Sequence, residues 1–128
     1  MKIEYFAGDC SDCPLILIYG SEAVGARNLR LAIERLVVGL TSRLAIHEFP
    51  GYSSIDGCQL FASVGQVDLG VRQLGDGAIF ECILRKDTWE EVMGLLDPFT
   101  DDDAVHHGHQ YLTTTGKISL LISTDRSW

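Results

Sequence analysis

Apolar and polar positions alternate over residues 2–7, with Ile3, Tyr5 and Ala7 on one face, and this period of two predicts a strand. Residues 15–19 are instead an unbroken apolar run, the pattern of a strand covered on both faces. Between them Gly8-Asp9-Cys10-Ser11-Asp12 is turn chemistry, so the two segments predict a hairpin. From Ser21 the period changes. Leu29, Ala32, Ile33, Leu36, Val37 and Leu40 fall at helical spacing, while Arg27, Arg30, Glu34 and Arg35 lie largely outside that stripe. Ser21 is the expected N-cap and Gly39 the expected stop.

A strand is expected over 43–49, ending at Pro50-Gly51. Three more follow at 58–64, 67–74 and 78–84, separated by Gly65-Gln66 and by Gly75-Asp76-Gly77. Connections this short predict antiparallel neighbours and hence a meander. A second helix is expected from Asp87, which with Glu90 forms a capping-box pattern. Its buried stripe is Trp89, Val92, Met93 and Leu96, and Asp97-Pro98 ends it. Residues 111–113 and 118–123 form a last hairpin around Thr115-Gly116. The predicted fold class is α+β: one domain over residues 1–128, a largely antiparallel sheet and two packed helices, in the order ββαββ-ββαββ. That order resembles an internal repeat about Gly65.

Composition agrees with a globular domain. The chain has 128 residues, 46% hydrophobic and 22% charged, enough to bury a core. Its longest apolar run, residues 14–19, cannot span a bilayer, and the first residues lack a signal region. A cytoplasmic protein with no membrane partner is the expectation. Lysines and arginines are scattered through a chain of net charge -8, which argues against nucleic-acid binding. Residues 1–64 hold five basic and seven acidic residues; residues 65–128 hold five and eleven.

Most of that excess lies in one stretch. Asp87, Glu90, Glu91, Asp97, Asp101, Asp102 and Asp103 occur with no intervening lysine or arginine, and His106, His107 and His109 follow. Helix initiation accounts for Asp87, Glu90 and Glu91, since carboxylates complement the positive end of a helix. A solvated loop would account for the rest. The functional alternative is a docking face for a basic protein, with Asp101, Asp102, Asp103, His106, His107 and His109 as partner-binding residues. The aspartates lack the alternation and glycine of a calcium loop. His106, His107 and His109 are candidate metal ligands, but their spacing matches no defined zinc motif, so no metal or cofactor is assigned. Their protonation between pH 5 and 8 would also neutralise part of the patch.

Other chemistry is thinner. Cys10 and Cys13 form a C-x-x-C pair between two strands and beside Asp9 and Asp12, which disfavour thiolate. They are expected to be loop cysteines without function, with redox or metal roles as alternatives, and no disulfide is required. Cys58 and Cys82 fall on apolar strand faces as small buried residues. Ser21 follows a strand and opens a helix, yet the G-x-S-x-G frame of a hydrolase is absent. His47 is expected to be a partly buried structural residue, and Glu48 and Glu81 could meet across a sheet face. The glycines form no phosphate-binding motif.

These features point to a small acidic protein that works by binding rather than catalysis. Its partner would carry a basic surface, met by the acidic stretch and then by apolar anchors such as Tyr111 or Trp128. In composition alone it is comparable with inhibitor and immunity-type proteins. The rival reading is a metal-binding or metal-dependent enzyme domain using residues 101–109.

Overall fold

The computed structural model describes residues 1–8, 10–101 and 108–128. Two helices and two mixed sheets build an α+β domain in roughly the expected element order. In the first sheet β1 (Lys2–Phe6) and β2 (Leu15–Tyr19) form the predicted hairpin, with Ile3 opposite Ile18. The other edge of β2 takes β9 (Ser119–Ser123) in parallel, Leu17 opposite Leu121. β9 pairs antiparallel with β8 (His109–Thr113), the expected last hairpin. The two-residue β4 (Ser53–Ser54) adds to β1, giving the order β4-β1-β2-β9-β8.

The second sheet corrects the meander. It contains β3 (Arg43–Ala45), β5 (Gln59–Val64), β6 (Gly70–Gln73) and β7 (Ile79–Leu84), in the order β3-β5-β7-β6. β5 and β7 are parallel neighbours, because residues 65–69 arch over the end of β7 rather than turning tightly. Gly65 N–H donates to the Leu84 carbonyl at 3.0 Å and Leu69 N–H to that of Ile83 at 2.9 Å. β6 is thereby laid on the far edge of β7, antiparallel to it.

Asp68 pins this arch. Its carboxylate accepts the Arg85 backbone N–H at 2.8 Å and the Thr88 hydroxyl at 2.9 Å. Those bonds, the Arg85 N–H first, hold the Asp68 carboxyl below its ordinary value of 3.8 against the opposing effect of burial. They also fasten the start of α2 (Lys86–Leu96) to this loop; Arg85, not the expected Asp87, holds the cap position, and no side-chain cap bond is made there. The Asp87 carboxylate instead accepts the neighbouring Thr88 N–H at 3.1 Å and pairs with Arg85 at 3.2 Å.

α1 (Ala23–Val37) likewise starts without Ser21 as cap: Glu22 holds the cap position, with its carboxylate 3.6 Å from the Met1 amino group. Gly39, at φ +83°, follows the helix end as expected. The predicted strand 43–49 stops at Ala45 and becomes a 3₁₀ turn, Ile46–Glu48. There His47 Nδ1 accepts the Leu60 N–H at 3.0 Å, so a side chain replaces the next rung of the ladder. His47 is half-buried against the Phe61 ring, the structural role expected.

One main core joins both sheets to the buried stripes Leu29, Ile33, Leu36 and Trp89, Val92, Leu96. A smaller cluster lies on the other face of the first sheet, where Leu15, Leu17 and Leu121 are fully buried. Phe6, Tyr19, Tyr111, Trp128 and the two loop cysteines cover it. The double burial read from residues 15–19 is thus achieved on one side by aromatic side chains and not by a helix. Among the described residues no helix is long and apolar enough to cross a membrane.

Candidate functional site

The acidic helix presents its charge from a fixed platform. Trp89, Val92 and Leu96 bury one side of α2, so Asp87, Glu90 and Glu91 are left on the exposed side. The indole N–H of Trp89 donates to the Ser63 carbonyl at 2.9 Å and sets the rotation of the helix against β5. Beyond α2 a 3₁₀ turn, Asp97–Thr100, is stitched to α1: Arg30 Nε donates to Asp97 at 2.6 Å and Arg27 to the Thr100 carbonyl at 2.9 Å. Asp87 and Asp97 are therefore paired with arginines. Among the described residues no ion pair engages Glu90 or Glu91.

Several charges on the sheets are matched. Arg72 and Arg43 flank Glu81 at 3.5 and 3.9 Å, and Arg126 binds Glu4 at 2.8 Å. Glu81 is thus turned toward arginines, and no contact brings it to Glu48 among the described residues. Glu90 and Glu91 leave unpaired negative charge on α2, while Arg43, Arg72 and Arg126 have carboxylates of their own.

Of the residues expected to form the site, Asp101 is exposed just past the 3₁₀ turn, and it has a partner within the fold. His109 is exposed at the start of β8, its ring 6.0 Å from that of Tyr111 in an edge-on contact. Asp102, Asp103, His106 and His107 lie outside the described residues. The chain returns at Gly108, whose carbonyl accepts the Thr124 N–H at 3.1 Å. Asp101 and Thr124 both line a small cavity of about 50 Å³ together with Met1, Gly20, Ser21 and Glu22. Among the described residues no group of three or more His, Cys, Asp or Glu is arranged to hold a metal ion.

Cys10 and Cys13, expected as loop cysteines with no disulfide required, are joined in one. The pair packs over Leu15, Leu17 and Leu121, so it belongs to the cover of the smaller cluster. Cys58 and Cys82 are buried free thiols, and burial pushes them up to about 11 and about 12. Burial thus disfavours the thiolate, the reactive form, at both positions.

Glu4 is the centre of an ionic cluster on the outer face of the first sheet. Its carboxylate accepts Arg126 Nε at 3.0 Å, Arg126 Nη2 at 2.8 Å and the Tyr19 hydroxyl at 2.9 Å. The guanidinium bond holds the Glu4 carboxyl below its ordinary 4.5, with burial opposing and Tyr19 assisting. A depressed folded-state value makes the contribution to stability present above pH 4.5 and lost as pH falls through that lower value. The stability difference between wild type and Glu4→Gln in urea unfolding should accordingly shrink on acidification from about pH 6 to about pH 3. A difference constant over that range would contradict the bridge.

Sequence reasoning missed a wider groove, about 430 Å³, between the sheets, lined by Tyr5, Pro14, Leu69, Val71, Arg72, Gln73, Gly116, Lys117 and Ile118. These positions are scattered along the chain, and no local pattern marks them. Set beside known proteins, the chain matches no protein-family model, no curated protein and no solved structure, and its function is therefore read from its own surface.

Proposed function

We propose that this protein acts by binding another protein, whose basic surface meets the exposed side of α2 and the acidic segment after it. The observation that supports this most is the pair Glu90 and Glu91: exposed, without ion-pair partners among the described residues, on a helix whose opposite side is locked into the core. Asp102 and Asp103 add further negative charge by sequence, next to Asp101, whereas Asp87 and Asp101 have partners within the fold. Such a face steers a basic partner and contributes an attraction that salt screens. Tyr111 and Trp128 are packed into the outer cluster, so the apolar contact in this reading comes from Leu31, 49% exposed. Leu31 shares a shallow depression with Arg27, Arg30 and Asp97. A cytoplasmic location belongs to the same proposal, and the Cys10–Cys13 disulfide pulls against it, because small thiols keep such pairs reduced there.

The test is capture from an extract of the source cells on immobilised protein, with wild type beside a variant carrying Glu90→Gln, Glu91→Gln, Asp101→Asn, Asp102→Asn and Asp103→Asn. Captured proteins with basic surfaces, eluted by roughly 0.3–0.5 M salt and lost in the variant, support the proposal. Unchanged capture by the variant overturns it.

A further inference from the structure

We propose that the groove between the two sheets binds a small amphipathic carboxylate, its apolar body lying over Val71 and Ile118 and its charge beside Lys117. The size fits. About 430 Å³ falls within the range of roughly 300–1,000 Å³ typical of small-molecule sites. The floor is apolar and well packed, with Val71 and Ile118 only 2% and 7% exposed and joined by an isolated antiparallel bridge. Leu69, 43% exposed, and Pro14 offer further apolar surface at the sides.

The walls are preformed. Gly70 and Gly116 both have left-handed backbones, at φ +74° and +82°. A Cβ on Gly70 would collide with the Thr115 carbonyl oxygen, and one on Gly116 would lie 3.1 Å from that of Leu69. β6 and the turn before β9 therefore touch backbone to backbone, and only glycine permits that approach. On the opposite side the Tyr5 ring packs 4.5 Å from Phe80, and Pro14 follows directly on the disulfide-closed loop. A site held this way loses little freedom when a ligand enters.

The charge selects an anion. In a chain of net charge -8, the described residues lining this groove include two cations, Arg72 and Lys117, and no carboxylate. Arg72 shares Glu81 with Arg43, so one carboxylate serves two guanidinium groups. Lys117 is exposed and has no ion-pair partner among the described residues. The groove is therefore locally positive, while the acidic remainder of the surface disfavours a large polyanion; a small monoanion with an apolar body satisfies both conditions.

The probe is decanoate, titrated below its micelle concentration into uniformly ¹⁵N-labelled protein, with decyltrimethylammonium as the chain-matched cation. Decanoate should shift the backbone amides of Val71, Gln73, Lys117 and Ile118 saturably, and the cation should leave them in place. Lys117→Glu should weaken decanoate roughly tenfold, and Leu69→Asp should do so at least as strongly. Both side chains are exposed, and an unchanged thermal midpoint in each variant separates lost binding from lost folding. Absence of saturable shifts, equal shifts with the cation, or undiminished binding in both variants would overturn the proposal.

Discussion

Replacing Trp89 with alanine should lower the unfolding free energy by about 3–5 kcal/mol, the range for emptying a large aromatic site in a core. Trp89 is 1% exposed, the largest of the fully buried side chains, and it sits where α2 meets the second sheet. The loss has two parts. The cavity removes transfer and packing energy, and the Ser63 carbonyl, which receives the indole N–H at 2.9 Å, is left without that donor. Trp89→Phe separates them, because it keeps most of the apolar body and removes the donor; its expected cost is about 1–2 kcal/mol. Domains of this size are stable by roughly 5–15 kcal/mol, so the alanine variant should show a visibly lower urea midpoint by far-ultraviolet circular dichroism. A loss below about 1 kcal/mol would mean that α2 does not pack on β5 in this way.

Gly70→Ala should be nearly as damaging, for a backbone reason. At φ +74° any L side chain is strained, and this one would also strike the Thr115 carbonyl oxygen. Gly75 is the control: its φ is +75°, yet an added Cβ meets nothing within 4 Å. Gly75→Ala should therefore cost only the conformational part, about 1 kcal/mol, whereas Gly70→Ala should cost roughly 3 kcal/mol or more. The difference isolates the contact between β6 and the turn before β9. Forcing the two apart would also open the groove, so Gly70→Ala should weaken decanoate binding while Gly75→Ala leaves it unchanged. Equal destabilisation by the two substitutions would show that the close approach is not there.

The same two positions, Trp89 and Gly70, show how much could be read in advance. Trp89 falls in a helical stripe with Val92 and Leu96, and its burial follows from spacing alone. Gly70 sits inside an expected strand and signals only an irregularity. The residue that crowds it, Thr115, is far along the chain, and no local rule reaches that distance. Asp68 is the sharper case. Local reasoning caps α2 with Asp87, a good residue at the right offset, but the residue that accepts the Arg85 N–H is Asp68, 17 positions earlier. Capping rules recognise a residue type at a fixed offset, and an anchor supplied through space has no offset.

The acidic stretch divides along the same line. Charge, clustering and the exposed side of α2 are properties of sequence and helical period, and they carried over: Glu90 and Glu91 are exposed, Trp89 is not. Which carboxylates keep their charge uncompensated is another matter. Asp97 lost its freedom to Arg30, 67 residues earlier, and Asp87 to Arg85.

Local periodicity determined that there would be two helices, a β1–β2 hairpin, a β8–β9 hairpin and an α+β class, because hydrogen bonding within a helix or across a short turn involves near neighbours. Strand order escaped it. Whether residues 65–69 turn back or arch over β7 depends on two backbone bonds, to the carbonyls of Ile83 and Leu84, and on the Asp68 anchor, all formed with chain that comes later. Those bonds accompany the parallel pairing of β5 and β7 and lay β6, which lines the groove, on the far edge of β7. A pattern of apolar and polar residues states which face is buried; it does not state against what.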